Sequence, residues 1–265
     1  MKRHRAPAAG GSSRFTLTPA RPRASQWPAR IVGRILLALG LVSAAASERA
    51  VVRQTCPLDG TEFEAVQDFS GYAEGQRLDL KKIGPISQPP ALARCPQCGF
   101  PLFTKYPTAQ EIARLREIVA GERFRTEARP ASPWFALGIL REELRADPFE
   151  IGRTYLHASW EAEDEQGDYA RAAERALTWF DRAATDLRDQ TERRTDCLVA
   201  RYLGVELCRR LGRFDDAQQR LAKISSAHDE ALPWLPRALA AQARRISARD
   251  AAPDDGRAEP PRAPR

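Results

Sequence analysis

Cys56-Pro57-Leu58-Asp59-Gly60 and Cys95-Pro96-Gln97-Cys98-Gly99 are two copies of one short pattern, C-P-x-[CD]-G. The second copy has the form of a zinc knuckle. Cys-x-x-Cys puts two thiolates on one tight turn, both able to reach a metal at about 2.3 Å. Proline after the first cysteine fixes the backbone dihedral there. Glycine after the second admits a left-handed backbone and leaves room for amides to point at sulfur. Two such turns supply four ligands, the number a closed tetrahedral structural site needs.

The first copy departs from the second at one position, where Asp59 stands in place of a cysteine. A carboxylate oxygen also binds zinc, at about 2.0–2.2 Å, so Cys56, Asp59, Cys95 and Cys98 form an acceptable ligand set for structural Zn2+. It is a harder set than four thiolates. With a divalent ion it carries a charge of about −2, for which Arg53, Arg94 and Lys105 are the nearby candidates in sequence. Three readings are open at this point: a structural zinc site, a decayed knuckle that holds no metal, or a disulfide from Cys56 to Cys95 or Cys98. An exported chain would favour the last.

Between the two turns, residues 61–66 are β-prone. Residues 77–82 (Arg-Leu-Asp-Leu-Lys-Lys) alternate in the manner of a half-exposed strand. Gly84-Pro85 and Pro89-Pro90 are breaks, and Phe100 with Leu102 and Phe103 offers a small apolar core beside the metal. From Thr108 the character changes. Thr108-Ala109-Gln110-Glu111 reads as a capping box, followed by Ile112, Leu115, Ile118 and Val119 on one helical face, with Gly121 as a stop. Further helices are expected over 134–146, 149–165, 169–187, 194–211, 214–224 and 234–246, with a proline-containing connector over 126–133.

Two of the inter-helix segments resemble each other. Glu165-Gln166-Gly167-Asp168-Tyr169-Ala170-Arg171-Ala172 aligns with Arg210-Leu211-Gly212-Arg213-Phe214-Asp215-Asp216-Ala217. Glycine at a turn, an aromatic two residues on and alanine three after that resemble the tetratricopeptide pattern. The glycines lie 45 positions apart, more than the usual repeat of about 34. A plain antiparallel helical bundle is the alternative. The fold class expected is therefore mainly α with a small β-containing module, a zinc-ribbon-like unit packed on a tetratricopeptide-like repeat or bundle.

The 265 residues carry 42 Lys and Arg against 35 Asp and Glu. Eight of the basic residues fall within 1–34, which has no acid, leaving 34 basic against 35 acidic in the rest. A nearly neutral body argues against a nucleic-acid face. A mean hydropathy of −0.50 with no long apolar run argues against a stable membrane span. The basic segment runs into Ile35-Leu36-Leu37-Ala38-Leu39-Gly40-Leu41-Val42 and then Ser43-Ala44-Ala45-Ala46. These are the three parts of an export signal, with cleavage after Ala46 and a periplasmic or extracellular product. A disordered tail leading into a short helix, in a cytoplasmic chain, is the alternative; a retained anchor is a third. The expected organisation is a basic segment with signal over 1–46, a cysteine module over 52–107, a helical domain over 108–248 and a disordered tail over 249–265.

The remaining candidates point to packing. Cys197 and Cys208 share one face of a helix with Val199, Tyr202, Leu203 and Leu207. His157 sits between Leu156 and Trp160, and His228 lies in an acidic turn. Trp160, Trp179 and Trp234 fit a core. Phosphate-binding, dinucleotide, nucleophile-elbow and H-E-x-x-H motifs are absent from the sequence.

Taken together, the first knuckle, Gly71-Tyr72, Gln76-Arg77-Leu78-Asp79-Leu80-Lys81, Ile83-Gly84, the second knuckle with Phe100 and the helices that follow resemble a bacterial domain-of-unknown-function family. In that family paired CPxCG knuckles precede tetratricopeptide-like helices. The resemblance covers roughly 52–246 and implies a metal-stabilised module on a helical scaffold, with no assigned activity. The function expected is non-enzymatic, a scaffold for a protein or peptide partner. An enzyme with a redox-active or metal-dependent centre at Cys95 and Cys98 is the rival.

Overall fold

The structure, a computed structural model, describes residues 48–103, 107–224 and 230–255. The expected basic segment and export signal over 1–46 lie outside the described residues. Strands β1 (Glu48–Thr55) and β2 (Glu62–Ser70) pair antiparallel, with Val51 opposite Val66 and Thr55 opposite Glu62. The first knuckle is the turn of this hairpin. β1 itself was not foreseen, and the ordered module begins before residue 52.

Residues 77–82 are not a strand. Short strands β3 (Gly75–Gln76) and β4 (Lys82–Ile83) flank a turn in which Leu80 has φ +68°. The expected alternation is present with its faces inverted. Arg77, Asp79 and Lys81 are buried, while Leu78 and Leu80 are partly exposed. The helices supply the reason. Arg77 bonds Asp79 at 2.8 Å and Glu163 at 2.7 Å. Arg210 bonds Glu163 at 2.7 Å and lies 3.7 Å from Asp79, and Lys81 pairs with Asp164 at 2.6 Å. The Tyr202 hydroxyl donates to the Leu78 carbonyl at 2.6 Å. A charge buried with its partner and its hydrogen bonds is tolerated where a lone one is not.

Among the described residues seven α-helices follow: α1 (Ala109–Ala120), α2 (Pro133–Glu143), α3 (Pro148–Asp164), α4 (Tyr169–Asp186), α5 (Arg194–Arg210), α6 (Phe214–Ala222) and α7 (Leu235–Ser247). Thr108 and Glu111 form the reciprocal capping box at the start of α1. Ser132 and Asp147 cap α2 and α3, each with proline in the first turn. The connector between α1 and α2 contains a π-helical turn, Phe124–Ala128. From α2 to α6 each helix packs on the next, and α7 closes against α5 and α6. An ideal Cβ at Gly138 would lie 2.5 Å from the Tyr155 ring, so only glycine lets α2 approach α3 this closely. Among the described residues no helix is long and apolar enough to cross a membrane.

The two similar inter-helix segments are alike in part. α4 and α6 start on the aligned aromatics Tyr169 and Phe214, and the aligned Ala172 and Ala217 are both buried. The turns themselves differ. Gly212 takes the left-handed backbone in the second, whereas Gln166, one residue before Gly167, takes it in the first. The stretch expected to be a loose tail opens with a docked segment. Arg209, fully buried, pairs with Glu206 at 2.6 Å and donates to the carbonyls of Asp250 and Ala252. Asp254 accepts from the Leu78 amide at 2.7 Å.

His157 on α3 lies 4.5 Å from the Trp134 ring and 4.8 Å from the Trp160 ring. Burial, helped by Arg153 and Arg141, pushes its pKa down to about 4. The unfolded chain therefore binds a proton between about pH 6.5 and 4 that the folded chain does not. Stability should fall as pH drops through that window, by up to about 3 kcal/mol. His157→Leu should flatten this part of a urea-midpoint-against-pH curve. Arg209→Ala should cost about 3–5 kcal/mol in urea unfolding, because it leaves the Glu206 carboxylate buried without its cation, with only a 3.5 Å contact from the Gln242 amide. Arg209→Met combined with Glu206→Leu should recover most of that loss.

Candidate metal centre

The two knuckles have the same backbone. In the first, the Cys56 amide donates to the Thr61 carbonyl at 2.9 Å and the Gly60 amide to the Cys56 carbonyl at 2.9 Å. In the second, Cys95 and Phe100, then Gly99 and Cys95, repeat both bonds at 2.9 Å. Gly60 and Gly99 have φ +77° and +78°, the left-handed region their position requires. Asp59 thus occupies the place in the first turn that Cys98 holds in the second.

The turns face each other. Donor atoms of Cys56, Asp59, Cys95 and Cys98 all lie within 4.8 Å of one another. Cys56 and Cys98 Sγ are 3.6 Å apart, and Cys95 Sγ lies 3.4 Å from Asp59 Oδ2 and 3.7 Å from Oδ1. A disulfide would need about 2.0 Å, and all five cysteines are free. A tetrahedron with ion–sulfur bonds of about 2.3 Å has sulfur–sulfur edges of roughly 3.8 Å, and its sulfur–oxygen edges are roughly 3.6 Å. The Cys56–Cys98 and Cys95–Asp59 separations are close to such edges. The cluster is compatible with one metal ion.

Burial is uneven. Cys56 and Cys95 are 1% exposed, Cys98 is partly exposed and Asp59 is exposed. Burial pushes the Cys56 thiol up to about 11 and raises that of Cys98 as well. Desolvation raises the Asp59 carboxyl, but the hydrogen bonds from Thr61 and from the Cys98 and Cys56 thiols together hold it well below its usual range. Thiols raised by burial need a cation beside them to ionise.

Three arginines encircle the cluster by gripping knuckle carbonyls. Arg94 donates to Gly99 O at 3.1 Å, and also to the carbonyls of Ala128, Arg129 and Ala131 at the end of the π-helical turn. Arg116 of α1 donates to Leu58 O at 2.7 Å, and Arg129 to Gln97 O at 2.9 Å. Of the compensating charges expected from the sequence, only Arg94 takes this place. Arg53 sits on the outer face of the hairpin, 3.9 Å from Glu62, and Lys105 lies outside the described residues. Arg116 and Arg129 carried no local signal, because they come from the helical region. Phe100 is fully buried beside the site, with Leu102 and Phe103 packed around it.

The other sequence candidates stay apart from the cluster. Cys197 and Cys208 are buried in α5, and burial raises the Cys208 thiol. Trp160 is buried in the core and Trp179 and Trp234 pack on it, while His228 lies outside the described residues.

Dialysis of the full chain against Zn2+ or Co2+ should retain one ion per chain, read by elemental analysis. At 100-fold excess over its Kd the ion should stabilise the chain by about 2.7 kcal/mol. Cys95→Ser should lose both the ion and the gain. Retention of the ion by this variant at wild-type affinity would remove Cys95 from the ligand set.

No family model, curated protein or solved structure matches this chain.

Proposed function

We propose that the chain is a non-enzymatic scaffold. In this reading Zn2+, held by Cys56, Asp59, Cys95 and Cys98, has a structural role. It locks a zinc-ribbon-like module onto a tetratricopeptide-like helical body, which binds a protein or peptide partner. The observation that carries the proposal is the four-donor cluster, gathered within 4.8 Å. Four protein donors gathered at one point favour a structural role, as in structural zinc sites. Zinc is favoured by the sulfur content and by the edge length. Calcium takes six to eight oxygens and magnesium an octahedron of them, neither of which three sulfurs supply.

Support for a tetratricopeptide-like body comes from the paired helix starts at Tyr169 and Phe214 and the buried Ala172 and Ala217. Helix stacks of this kind present extended surfaces suited to peptide segments. The near-neutral charge outside the N-terminal segment supports a protein partner over a nucleic acid. The same elements support membership in the CPxCG-knuckle family, and the N-terminal pattern supports export with cleavage after Ala46. The rival reading, a reactive Cys95 and Cys98 pair, needs a thiol pKa below its ordinary value, and burial moves Cys98 the other way.

Thiol alkylation distinguishes the two. Cys56, Cys95 and Cys98 should resist iodoacetamide in the loaded chain and become labelled when a chelator is added. Rapid labelling of Cys98 without chelator would favour the reactive pair. Native mass spectrometry of the mature chain should show one zinc and no disulfide. An N-terminal residue other than Ser47 would remove the cleavage site.

A further inference from the structure

The four ligands are not equivalent, and the difference has a chemical consequence. Cys56 and Cys95 are sealed from solvent, whereas Asp59 lies on the surface. Its Oδ1 is already committed to the Thr61 amide at 2.9 Å, so Oδ2, 3.4 Å from Cys95 Sγ, is the oxygen left for an ion. Among the described residues no lysine or arginine pairs with Asp59. The turn that carries it is closed by backbone hydrogen bonds between Cys56, Gly60 and Thr61, none of which involves the carboxylate.

We propose that Asp59 is an exchangeable arm and that its position takes up one exogenous thiolate, from a small thiol or from a cysteine of a partner. The inference rests on the metal reading above and deepens it. Three sulfurs make the centre soft, and a carboxylate is the hardest and weakest-held member of such a set. In the exchange, Asp59 Oδ2 gives up its place and leaves as a carboxylate into the water that already surrounds it. The incoming sulfur fills the position, and its proton goes to solvent. No electron is transferred and the ion stays divalent. Arg94, Arg116 and Arg129, anchored on the carbonyls of Gly99, Leu58 and Gln97, keep positive charge around an anionic centre. The incoming thiolate therefore meets a field that offsets the negative charge already there.

The test uses Co2+ in the full chain, because its visible and near-ultraviolet spectrum reports geometry and the number of bound thiolates. Wild type should show a three-thiolate tetrahedral spectrum. Adding 2-mercaptoethanol should move it to the four-thiolate level with the ion still on the protein after gel filtration. Asp59→Cys should start at the four-thiolate level and not respond. Asp59→Ala should respond at lower thiol than wild type, since no carboxylate competes. A Gly-Cys-Gly peptide acting at lower concentration than 2-mercaptoethanol assigns the position to a polypeptide cysteine; equal midpoints assign it to small thiols. A wild-type spectrum indifferent to thiol, or loss of the ion, overturns the exchange while leaving the metal site intact. Failure of Co2+ to give any tetrahedral spectrum overturns the site itself.

Discussion

Three thiols and a carboxylate held within 4.8 Å of one another are a costly arrangement unless a cation lies among them. Two sulfurs are sealed from solvent, and burial raises the thiol of one of them, Cys56. Without an ion the Cys56 and Cys98 thiols, raised by burial, stay protonated, and the four groups are joined only by weak sulfur contacts at 3.4–3.7 Å. With one, the same spacing becomes coordination. The module is built around this requirement. β1 and β2 exist as a pair because the first knuckle turns between them, and the second knuckle is brought opposite by the loop that β3 and β4 pin to the helices.

Among the contacts that tie the module to the helical body, two act as separate clasps. One is Arg94, whose single guanidinium joins Gly99 of the second knuckle to three carbonyls beyond the π-helical turn. Those carbonyls lie at the end of a helical segment, where a cation is favoured. The other is the buried set of Arg77, Asp79, Glu163 and Arg210. Asp79 loses solvation there, which raises its pKa, and Arg77 opposes the rise. Such sets add little net stability compared with an apolar core, yet they accept only one geometry. The two clasps therefore fix where the module sits more than they strengthen it.

What could be read from the sequence follows from how local each feature is. The knuckles were legible because a Cys-x-x-Cys turn needs only five consecutive residues, and the Asp59 substitution was visible for the same reason. The pairing of the two turns followed from ligand arithmetic. Helix starts were legible wherever a cap lies in the chain, as at Thr108, and the aligned Tyr169 and Phe214 each open a helix as expected. Residues 77–82 show the opposite case. Their period of two was real, but which face is buried depended on Glu163, Asp164 and Arg210, some 80 to 130 positions away. Hydrophobicity alone would assign that face to Leu78 and Leu80. Arg116 and Arg129 were hidden for the same reason, since a charged residue on a helix gives no sign of the carbonyl it will reach. Arg209 and the docked residues 250–254 were missed because the contact is between a side chain and distant backbone.

A weak fourth ligand is tolerable here for a reason that joins these points. Isolated zinc modules depend on the ion because their own core is too small. In this chain Leu58, Phe100 and both buried knuckle cysteines belong to the same apolar cluster as the helices, continuous through Leu115, Phe124 and Phe135. The helical body carries part of the ordering that the ion would otherwise have to supply. An ion bound here would be held by three sulfurs and one oxygen without having to supply all of the module's order. A fourth cysteine would bind more tightly and close the site. Asp59 supplies instead a hard oxygen in contact with solvent, which under the exchange proposed above would be the one donor that an outside thiolate displaces.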